Sequence, residues 1–331
     1  MSIFLALLAT AVVELTLRYG FDASLPGLAF VGLYLVFFYL IDYWRKRFSQ
    51  SDQTEVWADN WGEYPEESLA TLEASGPVRR FGKWAMFLVF FGTQLLVILN
   101  PYQLIEILKQ LAGNARLAAR EKKTGNNKQH YETQLDYRLP FDGEWLVLNG
   151  GMTPKTSHSW DILGQRYALD FVKADEHLIR HSGRGTKVDD YYCYGVPILA
   201  AQSGRVVRVE TRVKDAPFLG WGVCDMTARS FIGNYVIIEH ADQEFGLYAH
   251  LAPGSVRVSV GEQVIQGQVI GSCGHTGHST EPHLHFHLQD SPDPYHGMGL
   301  PVAFSGLSIG GENATRARLK AGHRVTSTIK T

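Results

Sequence analysis

Apolar and polar positions are arranged along this chain in two different ways. Before residue 112 the apolar residues come in long runs, and after it they come in short runs broken by glycines. Three long runs stand out, residues 3–17, 25–41 and 84–99. Each is close to the shortest length able to cross a hydrocarbon core of ~30 Å. The second carries no charge, ends in Asp42 and the cluster Arg45-Lys46-Arg47, and has Tyr43 and Trp44 placed as interfacial anchors, which predicts a transmembrane helix. The first contains Glu14 and lacks a basic start and a small-residue cleavage site, so a retained helix is expected rather than a removed signal peptide. The third contains Thr93 and Gln94 and stops at Asn100-Pro101; a crossing is expected, with a buried or interfacial helix as the other reading. Residues 114–134 turn polar and charged, the pattern of a helical extension or a linker. The expected organisation is a membrane region of two or three helices over 1–112, a linker over 113–139 and a folded domain over 140–331.

In that last region the pattern changes period. Short runs rich in Val, Ile and Tyr at residues 167–172, 196–200, 205–209, 234–240, 245–250, 268–271 and 283–288 alternate with Gly-containing turns. This spacing predicts a mainly β fold, a small antiparallel sheet domain, preceded by the helical membrane region. Gly261, Gly267 and Gly271 mark tight turns or close backbone approach.

Charge and cysteine content narrow the function classes. Lys+Arg number 31 against 33 Asp+Glu, so the broad basic surface that draws in nucleic acid is missing, and membrane lipid is the partner the long apolar runs point to. The basic residues after the third apolar run nearly balance those between the second and third, so charge alone does not orient the chain in a membrane. Cys193, Cys224 and Cys273 form no C-x-x-C pair and are expected to be buried and reduced.

The chemistry concentrates in Pro282-His283-Leu284-His285-Phe286. Side chains alternate along a strand, so His283 and His285 share one face while Leu284 and Phe286 enter the opposite layer. Alone, such a pair reads as a wet strand face. Here a second strand ends in Tyr248-Ala249-His250-Leu251, and Tyr167-Ala168-Leu169-Asp170-Phe171 places a carboxylate in an otherwise apolar strand. A charged Asp there is costly unless it is paired or metal-bound.

The stretches GNYVIIEH, YAHL, VSVGEQVIQGQVIG and GHTGHSTEPHLHF, in that order over residues 233–288, resemble the lysostaphin/LytM family of zinc endopeptidases. Upstream the likeness continues more weakly through GVPILAAQSGRVVRV to YALDFV, so it covers roughly the last half of the chain. The resemblance implies a small antiparallel β domain with a groove, with zinc as cofactor. It implies Asp170 and His285 as zinc ligands and His250 and His283 as catalytic groups beside the metal. His287 stands where the family often has an acidic residue and receives no role.

The family's first ligand, a histidine four residues before the aspartate, is replaced here by Arg166, which stays protonated and cannot donate a lone pair to zinc. His158, upstream of Asp170 with a Gly164-containing turn between them, is the expected substitute. Asp161 is a rival, His177 and His181 read as solvated loop, and the plain alternative is that His158 is a surface-loop histidine.

A site of two histidines and one aspartate with an open position is catalytic rather than structural in type. It implies hydrolysis of a peptide bond by a zinc-activated water assisted by His250 and His283, no H-E-x-x-H glutamate being present. The resemblance implies peptidoglycan peptides as substrate. It also implies the bacterial inner membrane as location, with the domain facing the periplasm or cell exterior. The competing reading is an inert LytM-like domain that binds cell wall or activates a partner hydrolase.

Overall fold

The computed structural model describes residues 100–124 and 128–329. All of them fall in one compact unit, Ala58–Thr331. The three apolar runs at 3–17, 25–41 and 84–99 lie outside the described residues. Among the described residues, no helix is long and apolar enough to cross a membrane.

The chain enters the described region through a helix, α1 (Pro101–Thr124). Its start is written in two residues. Asn100 caps it by accepting the Tyr102 amide at 3.0 Å, and Pro101 takes the first helical position, where a missing N–H costs nothing. Lys122 and Lys123 sit in the last turn, favourably placed against the negative end of the helix. The expected linker 113–139 therefore holds the second half of α1 and then a segment that enters the core. Tyr137, Leu139 and Phe141 are fully buried, and Tyr137 bridges to Phe304.

The strands are β1 (Glu144–Asn149), β2 (Leu169–Val172), β3 (Pro197–Leu199), β4 (Gly204–Glu210), β5 (Asn234–Ala241), β6 (Glu244–Leu251), β7 (Gln263–Val264), β8 (Val269–Ser272) and β9 (Leu284–Gln289). They are followed by β10 (Gly299–Leu300), β11 (Phe304–Ile309), β12 (Glu312–Ala317) and β13 (Arg324–Ser327). One antiparallel sheet runs β12-β11-β13-β1-β2-β9-β6-β5-β4-β7, with β10 paired to β9, and β3 pairs β8 in a second, two-stranded sheet. The predicted mainly β, antiparallel class is what the structure has. Every strand expected from sequence is present, shifted by a residue or two at its ends, while β1, β7 and β10–β13 were not among them.

Alternation explains why β9 lies between β2 and β6. Leu284, Phe286 and Leu288 pack into the main core with Phe171, Tyr248, Phe141 and Phe304. Full burial of side chains of this size stabilises by about 1.5–3 kcal/mol each. The opposite side of the same strand carries His285, His287 and Gln289, flanked across the β6–β9 pair by Ala249, Leu247 and Phe245, which belong to a smaller apolar cluster.

Candidate metal and catalytic site

Register brings the carboxylate and the imidazole together. In the β2–β9 pair Asp170 stands directly opposite His285, and in the β1–β2 pair it stands opposite Asn149 at a register shift. His285 Nδ1 lies 2.9 Å from Asp170 Oδ1, and Asn149 Nδ2 donates to Asp170 Oδ2 at 3.1 Å. Asn149 was not legible as a site residue in the sequence, because its strand was not.

His158 reaches the same carboxylate from a loop, its Nε2 lying 3.5 Å from Asp170 Oδ2. Two flanking serines make this possible. Ser157 Oγ donates to the Arg166 carbonyl at 2.8 Å and Ser159 Oγ to the Gln165 carbonyl at 2.6 Å. The outgoing and returning legs of the loop are thus cinched one residue either side of His158, just before β2 begins. From α1, Asn114 donates to the Asp161 carbonyl at 2.8 Å and accepts the Leu163 amide at 2.7 Å, holding the loop's far end.

Arg166 points elsewhere. Its Nε donates to the Trp160 carbonyl at 3.1 Å, its guanidinium lies over the Trp160 ring, and it pairs with Glu121 of α1 at 3.4 Å. Asp161, the rival ligand, is not part of the cluster. Among the described residues, His158, Asp170 and His285 form one group whose ligand atoms all lie within 4.8 Å of one another.

His250 and His283 stand beside this group. Their ring centroids are 4.7 Å apart, that of His250 is 5.8 Å from that of His285, and His283 Nε2 is 3.7 Å from Asp170 Oδ1. Each has its other nitrogen tied to a backbone carbonyl, which can only accept. His250 Nδ1 donates to the Thr276 carbonyl at 2.7 Å and His283 Nδ1 to the Glu281 carbonyl at 2.8 Å. In the neutral rings Nε2 is therefore left as a lone pair. The Glu281 side chain is itself held by a buried ion pair with Arg180 at 2.8 Å.

His250 adopts φ +60°, in the left-handed region that non-glycine residues seldom enter. This residue of β6 is backed at Gly233, where a Cβ would collide with Thr276, whose carbonyl holds the His250 ring. Because the left-handed conformation costs an L-residue about 1–2 kcal/mol, and glycine's extra unfolded-state entropy offsets about 0.5–1 kcal/mol of that, His250→Gly should be more stable than His250→Ala by about 0.5–1 kcal/mol. Urea denaturation of the two variants checks this, and equal midpoints would show that no strain is stored there.

Electrostatics follow from burial. Burial pushes the Asp170 carboxyl up, but the charges of His158 and His283 and the hydrogen bond and charge of His285 outweigh it and hold it well below the usual range. Burial, reinforced by His283 and His285, pushes His250 well below its ordinary value. Burial also takes His287 down to about 3, so that ring is neutral.

The donor set, two imidazoles and one carboxylate, fits zinc. The Asp170 side chain is 7% exposed and that of His285 8%, against 37% for His158, so the cluster opens to solvent on the loop side.

A model of peptidase family M23 matches residues 184–296, which include His250, His283 and His285. The C-terminal half carries a peptidase family M23 domain. M23 enzymes are zinc-dependent metallo-endopeptidases. His158 and Asp170 lie ahead of the matched stretch. Peptidoglycan DD-endopeptidase ShyA of Vibrio cholerae serotype O1 is 39% identical over 89 residues, 26% of this chain and 20% of that protein. Glycyl-glycine endopeptidase ALE-1 of Staphylococcus capitis is 28% identical over 144 residues, 44% of this chain and 35% of that protein. A solved zinc containing peptidase from Vibrio cholerae shares 22% identity with a TM-score of 0.31, covering 50% of this chain and 39% of that one. The chain thus spans only about a third or less of these curated M23 relatives.

Proposed function

We propose that this M23 domain is a working zinc endopeptidase that hydrolyses peptide bonds of peptidoglycan, with His158, Asp170 and His285 as metal ligands and His250 and His283 as catalytic groups. The observation that carries the reading is the convergence of the three donor atoms beside two imidazoles whose Nε2 lone pairs are left available. Zinc bound there supplies a Lewis acid and brings the pKa of a water toward ~7. The chain's own residues do the rest. Each imidazole can accept a proton at Nε2 while its carbonyl partner fixes the ring, and once protonated it can donate a hydrogen bond to an oxyanion. An inert binding module is less favoured, since all five side chains are kept in one cluster.

Two observations support placing this activity at a membrane. The sequence ahead of α1 is the apolar run 84–99, and α1 exposes Tyr102, Leu104, Ile105, Leu108 and Leu111. The reading is a membrane-anchored enzyme whose domain faces the periplasm or cell exterior. Protein stripped of metal should release no peptides from purified peptidoglycan, and stoichiometric zinc should restore release. A reporter fused after Thr331 should be active outside the cytoplasm. Hydrolysis that survives metal removal ends the zinc reading, and a reporter active only in the cytoplasm ends the placement.

A further inference from the structure

Behind the proposed ligand His285 runs a line of hydrogen bonds that the mechanism above does not use. His285 Nε2 meets His287 Nδ1 at 3.0 Å, His287 Nε2 meets Gln289 Oε1 at 3.0 Å, and Gln289 Nε2 donates to the Ser291 carbonyl at 2.7 Å. Residues 285, 287 and 289 stand on the same side of β9 because side chains alternate along a strand. His287 is 1% exposed and Gln289 0%, so water is not an alternative partner for either.

The direction of the line can be worked out from its far end. The Ser291 carbonyl only accepts, so the Gln289 amide must turn its NH2 toward it. Gln289 Oε1 then faces His287 and can only accept, which puts the His287 proton on Nε2. His287 Nδ1 is left as an acceptor, and the proton shared with His285 belongs to His285 Nε2. A neutral His285 in that tautomer presents the Nδ1 lone pair to Asp170 Oδ1, 2.9 Å away. Two acceptors that close need a cation between them, and a metal ion can serve.

We propose that His287, directed by Gln289, is a positioning residue that holds His285 in the Nε2–H tautomer and so aims its Nδ1 lone pair at the metal. The inference rests on the reading of His285 as a ligand. Outer groups of this kind typically change metal affinity by about 10–100-fold when removed. His287→Phe keeps a ring of similar size but offers no acceptor, whereas His287→Asn places an oxygen close to the lost Nδ1.

The test uses the full chain with two readouts, zinc affinity by competition with a chromophoric chelator and long-range 15N–1H NMR of the histidine rings in zinc-loaded protein. Wild type should show His285 as a single Nε2–H tautomer. His287→Phe should bind zinc about 10–100-fold more weakly and show mixed tautomers, and His287→Asn should recover most of that loss. The proposal is overturned if zinc-loaded wild type shows the Nδ1–H tautomer of His285, a result that needs no variant to fold. It is also overturned if His287→Phe leaves affinity and tautomer unchanged, or if folded His287→Asn is as weak as His287→Phe, since packing alone would then explain the loss. If His285→Ala binds zinc as wild type does, the ligand reading fails instead, and the tautomer of His285 still reports on His287.

Discussion

His285→Ala is expected to leave the protein without stoichiometric zinc and without hydrolysis of purified cell wall, whereas His283→Ala should keep its zinc and lose roughly 10²–10⁴-fold in turnover. The two residues are neighbours on one side of the chain, yet their surroundings differ. His285 is paired across strands with Asp170 and its Nδ1 faces that carboxylate at 2.9 Å. Structural zinc sites with four ligands bind with an apparent 10–16 kcal/mol, so one ligand accounts for on the order of 3–4 kcal/mol, roughly 10²–10³-fold in Kd. His283 instead has Nδ1 fixed by the Glu281 carbonyl, and its Nε2 is 3.7 Å from Asp170. That leaves it free to handle protons next to the metal. Metal content by atomic spectroscopy and peptide release together separate the roles; equal zinc and equal release in both variants and wild type would remove both assignments.

The second large effect concerns the substituted ligand. His158→Ala should weaken zinc binding by roughly 10²–10³-fold, by the same one-ligand arithmetic, while Arg166→Ala should leave it near wild type. The contrast follows from where the two side chains go. His158 Nε2 is 3.5 Å from Asp170 Oδ2, and Arg166 is engaged with Trp160 and Glu121. Arg166→Ala should still lower stability modestly, because its cation–π contact is worth about 0.5–1 kcal/mol and its ion pair with Glu121 about as little. Isothermal titration of zinc into apo protein checks both variants. Full affinity in His158→Ala would sink the assignment.

How much of this was legible in the sequence depends on the kind of signal. The strands around the site were readable because β5 and β6 carry strong apolar runs and β9 a strict apolar–polar alternation, each bounded by turn residues. β12, Glu-Asn-Ala-Thr-Arg-Ala, has little apolar content and a single buried residue, Ala314, so nothing in its pattern marks a strand. β1 contains Trp145, Leu146 and Val147 in a row, all buried, which is a short apolar run without a period. Missing β1 meant missing Asn149, whose role exists only through pairing with β2. The H-x-H pair was legible by alternation, and the same alternation extended two steps would have reached His287 and Gln289; what sequence could not give is that Ser291 fixes the direction of the bonds. His158 could be named as a candidate, but the serine clasp that carries it to Asp170 depends on hydrogen bonds to residues 165 and 166 that no spacing rule encodes. The segment around Tyr137 read as linker because it continues the polar, charged stretch 114–134, and Tyr137 is buried where it bridges to Phe304.

The site's placement at the middle of the sheet has a consequence for how its order is lost. β9 is hydrogen-bonded on both flanks, and the strands on those flanks supply Asp170 and lead to His250. Its backbone amides should exchange among the slowest in the domain, because an inner strand is freed only when the strands on both flanks part from it. A slip of one residue in its register would turn His285 and His287 into the core and Phe286 out of it, which the packing forbids. Asp170, His250 and His285, each on a strand of the sheet, should therefore be lost with the sheet as a whole, whereas His158 hangs on a clasp of local bonds from Ser157 and Ser159.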